Sequence, residues 1–192
     1  MNNLFYKIAE KAQAEDKLVA VYEDLENPNK FLVGFVKALN DAEIYIHMVS
    51  NAGEEDGYSL IRWERIHQIT YFNRYLKRLF SLFQNSSDFS DEDHERDDAG
   101  VENWEDKNIL KALVERAASL NQLIQLDFYY NDWVVGYILD FDEESILVEE
   151  ISSDGDEDGF SCYRLGDIVG LTGDTNYLKK VEFYYQNRKN YY

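Results

Sequence analysis

The chain has 192 residues, is 45% apolar and 15% aromatic, and carries a net charge of −19. That composition belongs to a folded protein rather than a disordered one, and no apolar run approaches the ~20 residues that a membrane-spanning helix needs. A single cysteine, Cys162, excludes an intramolecular disulfide and fits a reducing compartment; with neither a basic start nor an apolar stretch in Met1 to Lys7, the chain is expected to be cytoplasmic.

In chain order, Leu4, Ile8 and Ala12 mark a first short amphipathic helix, with Asn3 placed to cap it. Strand-like runs follow at Leu18 to Tyr22, Phe31 to Ala38, Glu43 to Val49, Tyr58 to Trp63 and Ile66 to Tyr71. Tyr75, Leu76, Leu79, Phe80 and Phe83 then fall at helical spacing. Residues 85–106 read as an acidic linker, where 10 acidic side chains face 1 basic one. Such a stretch has too little apolar area to offset its ordering entropy. Phe89 and Trp104 stand out within it, and suggest that residues 88–104 dock near Arg74 and Arg78 rather than merely connect.

The same order then recurs. Leu110, Leu113, Val114, Ala117 and Ala118 form a helical stripe behind a capping Asn108. Strands are expected at Leu123 to Tyr129, Trp133 to Leu139, Ser145 to Ile151, Phe160 to Leu165 and Ile168 to Leu171. A last helix carries Tyr177, Leu178, Val181 and Tyr185. The recurrence extends to individual residues. Val33-Gly34-Phe35-Val36 returns 102 positions later as Val135-Gly136-Tyr137-Ile138, and Glu55-Asp56-Gly57-Tyr58-Ser59 as Glu157-Asp158-Gly159-Phe160-Ser161. Tyr75-Leu76-Lys77 meets Tyr177-Leu178-Lys179 at the same offset. Upstream the offset is 105, because the loop at Glu26 to Asn29 is three residues longer in the first copy. A constant register across several motifs signals a duplicated domain, with repeats at 1–84 and 107–192 flanking the linker.

Gly34 and Gly136 fall inside strands, where glycine marks a bend or bulge. Five short strands with a bent second strand suggest a small barrel. The fold class is thus mainly β with flanking helices (α+β): two tandem bent five-stranded barrels, each with an N-terminal and a C-terminal helix. In this order of elements each repeat resembles the Sm-like and SH3-like small barrels. Sm-like RNA binders carry an Arg-Gly or Lys-Gly pair before the last strand; here that region reads Arg62-Trp63-Glu64-Arg65-Ile66 and Arg164-Leu165-Gly166-Asp167-Ile168. The resemblance implies the fold and gives RNA binding little support.

No catalytic constellation emerges. Cys162 has Leu60 as its counterpart and reads as a small core residue, while His47, His67 and His94 are scattered. Asp154, Asp156 and Asp158 open like a calcium loop, but the twelfth position, where a bidentate Glu should close it, is Leu165. An acidic turn, with Gly57 and Gly159 supplying positive φ, accounts for the pattern in both repeats. No cofactor or metal is expected; whether the three aspartates hold a cation weakly stays open.

What remains is surface. Arg62, Arg65, Arg74, Lys77 and Arg78 interleave with Trp63, Tyr71, Phe72 and Tyr75 on a near-neutral first repeat, whereas residues 107–192 carry 8 basic and 16 acidic side chains. The reading that follows is a non-catalytic module for protein–protein contacts, with Arg62, Arg65, Arg74, Lys77, Arg78, Phe89 and Trp104 as the interaction surface. Its rivals are a nucleic-acid-associated protein using that basic segment, and an acidic mimic of nucleic acid that occupies a basic protein's cleft. Nucleic acid is disfavoured as a partner because most of the chain would repel a polyanion.

Overall fold

The computed structural model describes residues 3–27, 29–86, 108–129 and 132–188. In chain order the elements are helix α1 (Leu4–Ala14), strands β1 (Leu18–Tyr22), β2 (Leu32–Leu39), β3 (Glu43–Val49), β4 (Glu55–Arg62) and β5 (Gln68–Tyr71), and helix α2 (Arg74–Ser86). Then come α3 (Ile109–Leu120), β6 (Ile124–Phe128), β7 (Trp133–Phe141), β8 (Ser145–Ile151), β9 (Glu157–Arg164), β10 (Ile168–Gly173) and α4 (Asn176–Asn187). A short 3-10 turn precedes the last strand of each set, at Trp63–Arg65 and Leu165–Asp167.

The chain divides into two compact units: Met1–Asp56 with Ile61–Ile109, and Gly57–Leu60 with Leu110–Tyr192. In the first, the strand order is β5-β1-β2-β3-β4. β1 is the antiparallel partner of both β2 and β5, and β2 of β3. The run Leu18-Val19-Ala20-Val21 is apolar throughout because both of its faces are covered. Val19 and Val21 pack on the side that carries Ala9 and Ala12 of α1, whereas Leu18 and Ala20 face Leu76, Leu79 and Phe83 of α2. Strands buried on both faces lose the polar alternation of a one-sided sheet.

In the second unit the Gly57–Leu60 stretch of β4 lies beside β10, and the order continues β6-β7-β8-β9. Leu123, Val135, Tyr137 and Ile151 pack against Leu178 and Val181 of α4. Ile109, Leu113, Val114 and Ala117 of α3 are fully buried.

Local devices recur at equivalent positions. Gly34 pairs with Met48 and Gly136 with Glu150, and both second strands shift register at the same place, after Val36 and after Ile138. A Cβ on Gly34 would lie 2.1 Å from the carbonyl oxygen of His47, and one on Gly136 2.3 Å from that of Glu149, so only glycine fits where the strands cross. Asp16 and Asn121 both take left-handed backbone (φ 47 and 48) after the first helix of each set. Asn73 and Thr175 accept from the amides of Leu76 and Leu178 at the start of the last helices. Asn3 Oδ1 accepts from the Phe5 amide at 3.0 Å, the expected cap of α1.

Three expectations change. Neither strand set closes into a barrel: closure would need β4 bonded to β5 and β9 to β10, but these strands stand apart in the order, and the Gly57–Leu60 stretch borders β10 instead. Leu4 is exposed, and α1 buries Ala9 and Ala12 with Phe5 and Ile8 packed beside them. The pairs Asp56-Gly57 and Asp158-Gly159 are not hairpin turns. The turns are at Ser50–Gly53 and Ser152–Gly155, closed by Gly53 N–H to Ser50 O and Gly155 N–H to Ser152 O. Gly57 and Gly159 do have positive φ (74 and 103), but inside β4 and β9; in β9 the register skips from Glu150↔Gly159 to Ile151↔Glu157. A glycine at a bulge meets the same backbone demand as one in a turn.

Candidate interaction edge

Of the residues singled out for their basic or aromatic character, most of the described ones lie in the first unit on or around β5 and α2. Arg74, Lys77 and Arg78 are exposed on α2 and line an open groove with Ser81, Leu82 and Asn85. Lys77 Nζ sits 3.8 Å from the centre of the Phe72 ring, and that ring stacks on Tyr71 at 5.6 Å. Arg62 and Arg65 are half-buried, and Arg62 lies 4.0 Å from Glu64. Trp63 does not belong to this surface. It is a core residue whose Nε1 donates to the Asn40 carbonyl at 2.8 Å, so it offers no face for a base to stack on. Phe89 and Trp104, with the acidic segment 88–104, lie outside the described residues.

Among the described residues, His47 and His67 are not brought together. His47 hydrogen-bonds Tyr45 at 3.0 Å on β3, His67 precedes β5 with β1 and β2 between, and His94 lies outside the described residues. Among the described residues no three His, Cys, Asp or Glu side chains are placed to hold a metal ion. Leu165 follows the full length of β9, so an eight-residue strand separates it from the Asp154–Asp156 turn. At ~3.3 Å per residue that is roughly 25 Å, too far to close a calcium loop.

Cys162 is the informative correction. It is exposed, not core. The counterpart strand β4 is buried from Tyr58 to Ile61, whereas in β9 every second residue is exposed. Tyr58 is 4% exposed and its counterpart Phe160 69%. The difference lies in what borders each strand. Within the second unit, Tyr58 Oη donates to Gln122 Oε1 at 2.9 Å, the Arg116 guanidinium stands 5.7 Å from its ring, and Ser59 Oγ meets Thr172 Oγ1 at 3.1 Å. β9 pairs with β8 on one side and ends the strand order on the other. The backbone on that side of an edge strand offers unused donors and acceptors.

Charge surrounds this edge. From Trp133 to Arg164 there are 10 acidic side chains and 1 basic one. Tyrosines hold two of these carboxylates, and one on α4, in place. Tyr163 donates to Glu150 at 2.6 Å, Tyr137 to Glu182 at 3.2 Å and Tyr185 to Glu149 at 3.5 Å. Burial, and then the neighbouring carboxylates, push the Tyr137 hydroxyl well above its ordinary range; burial and the Glu150 bond raise that of Tyr163, which keeps both phenols protonated as donors. Between β7 and β8, Asp142 accepts from the amides of Glu144 and Ser145 at 2.8 and 2.7 Å, and these bonds hold its carboxyl below the usual value.

The edge was missed in the sequence because its signal is comparative: the exposure of Phe160 and Cys162 shows only against Tyr58 and Leu60. The arrangement supplies a ladder of backbone groups, one exposed aromatic ring and an acidic surround. Comparison with protein-family models, with curated proteins and with solved structures finds no match.

Proposed function

We propose that this chain is a non-catalytic protein-binding module that takes an extended segment of a protein partner along β9. The observation that carries the reading is the contrast between Phe160, 69% exposed, and its counterpart Tyr58, 4% exposed. Strand addition of this kind draws affinity from main-chain hydrogen bonds and specificity from alternate side chains. Phe160, Cys162 and Arg164 are the alternate exposed side chains of β9. The acidic surround selects a basic partner segment and speeds encounter. A cytoplasmic setting suits an exposed free thiol at Cys162.

The test uses the single cysteine as its handle. A benzophenone attached to Cys162 is irradiated in native extract, and cross-linked proteins are identified. A true partner, added back pure, slows hydrogen exchange at the amides of Phe160 to Arg164, and loses affinity at least tenfold against Phe160→Lys. A partner that binds Phe160→Lys as tightly as the parent chain rules out the edge.

A second reading draws on the same acidity. Ten carboxylates against one cation between Trp133 and Arg164 resemble the charge of a nucleic-acid backbone, so a DNA- or RNA-binding protein is a fitting occupant. Direct nucleic-acid binding rests on Arg74, Lys77 and Arg78 alone, now without Trp63.

A further inference from the structure

We infer that the segment which pairs with β9 is β5 of a second copy of this chain, so that the protein associates head to tail. The inference rests on the reading of β9 as a strand-binding edge and names its occupant.

The chain already contains one example of the contact. β4, the counterpart of β9, has its Gly57–Leu60 stretch beside β10, the counterpart of β5. The two strands that end the order are β9 and β5, so a second copy brings together the same pair of strand types. β5 is bonded to β1 on one side only and presents Gln68 and Thr70 at its surface. Thr70 is the counterpart of Thr172, and Ser161 that of Ser59, so the hydroxyl contact made at 3.1 Å can be made again between copies.

The residues around Tyr58 change in a concerted way at the free ends. Gln122, which accepts from the Tyr58 hydroxyl, corresponds to Lys17, which has no acceptor. In step, Tyr58 corresponds to Phe160, which has no hydroxyl to donate. Arg116, the cation near the Tyr58 ring, corresponds to another cation, Lys11. In the first unit Lys11 Nζ stands 5.6 Å from the centre of the Tyr71 ring and Lys17 Nζ 4.4 Å from that of Phe80, so Phe160 would be a further aromatic partner for cations that already face rings. One position differs in size. Tyr71 stands where Gly173 lets the Tyr58 ring approach, so Phe160 must settle to one side, toward Lys11 and Lys17.

Charge points the same way. Residues 62–78, which contain β5, carry 5 basic side chains and 1 acidic one, against 10 acidic and 1 basic in residues 133–164. The counterparts of these stretches are far less polarised: 3 basic and 2 acidic in 164–180, and 2 basic and 5 acidic in 31–62. Opposite charge is thus concentrated in the two stretches of sequence that contain the end strands β5 and β9. A head-to-tail contact between unlike edges propagates, into a ring if the rotation closes and into a chain if it does not.

Sedimentation of the full chain tests this. At low micromolar concentration and 50 mM salt the protein should sediment as oligomers, with association weakened more than tenfold at 500 mM salt. Phe160→Lys, and separately the pair Lys11→Glu with Lys17→Glu, should each give monomers with unchanged circular dichroism. Mixed together, these two variants should form a 1:1 complex, because each keeps the edge the other lacks. Benzophenone on Cys162 of the purified protein should cross-link to residues 66–72 or to α1 of another copy. A wild-type monomer at 50 mM salt, a mixture that stays monomeric, or cross-links that land elsewhere on the second copy each overturn the inference. If the chain is monomeric but its β9 edge still captures another protein in extract, self-association is wrong and the binding-edge reading stands. If β9 captures nothing in either setting, both are wrong.

Discussion

Tyr58 and Phe160 occupy the same place in the two repeats, so truncating each to alanine measures what borders the strand. An aromatic side chain presents roughly 200 Å² to water when unfolded, and burial is worth about 25 cal/mol per Å². Tyr58 at 4% exposure has nearly all of that area covered, close to 5 kcal/mol, of which alanine recovers a small share. Its hydroxyl also satisfies Gln122, worth about 1 kcal/mol more. Phe160, 69% exposed, has about a third covered, some 1.5 kcal/mol before alanine's share is returned. Tyr58→Ala should therefore cost ~3–5 kcal/mol and Phe160→Ala ~1 kcal/mol or less. Urea unfolding followed by tryptophan fluorescence reads the difference. It is best done at sub-micromolar protein and 500 mM salt, so that association does not add to stability. Equal losses, within ~1 kcal/mol of each other, would refute the claim that β4 is covered and β9 bare.

Three other outcomes follow from the local geometry. Gly155 combines φ 83 with a would-be Cβ only 2.5 Å from the Tyr185 backbone nitrogen, so Gly155→Ala should lose ~2 kcal/mol or more, while Gly166→Ala, with open space around it, should change little; thermal melts compare the two. The Tyr137 hydroxyl is held protonated in the fold above its ordinary value of 10.0, so its stabilisation is complete below that pH and falls as pH rises beyond it; Tyr137→Phe should flatten the alkaline limb of stability against pH. Asp142 is the opposite case: its depressed value makes its contribution present above the ordinary 3.8 and lost as pH falls through the folded value, so the gap between parent and Asp142→Ala at pH 7 should shrink below about pH 4 in acid unfolding.

How far the sequence could be read depended on whether the deciding contact was local. β1, β3 and β8 fall within the bounds expected from their β-branched and aromatic runs, because intrinsic preference and burial agree there. The bends at Gly34 and Gly136 were legible for a similar reason: glycine weakens the interior of a strand, so it persists in an apolar run where a bend or a close backbone approach requires it. Leu4 misled because its spacing suits the helical stripe while Ala9, a weaker signal, is what the sheet covers. The acidic starts of β4 and β9 read as turns because Asp-Gly demands positive φ at a bulge just as in a hairpin loop. The exposure of Cys162 and Phe160 could not be read from their own surroundings, since the same apolar-polar alternation serves a strand with one neighbour or with two.

The charge pattern, unlike the strand pattern, does distinguish the two ends. Two strand sets of the same order have no physical reason of their own to gather cations in one at residues 62–78 and carboxylates in the other at residues 133–164. Neither fold stability nor solubility asks for it: exposed ion pairs contribute ~0–1 kcal/mol, and a net charge of −19 is served equally by any placement. Placement matters once the two ends must meet something, because an edge strand left bare is a site for unintended pairing. Acidic cover on β9 repels another β9, and basic cover around β5 repels another β5, while unlike edges attract. The same polarisation therefore opposes symmetric pairing of two copies and favours the head-to-tail one, the pairing of strand types already present where Gly57–Leu60 borders β10.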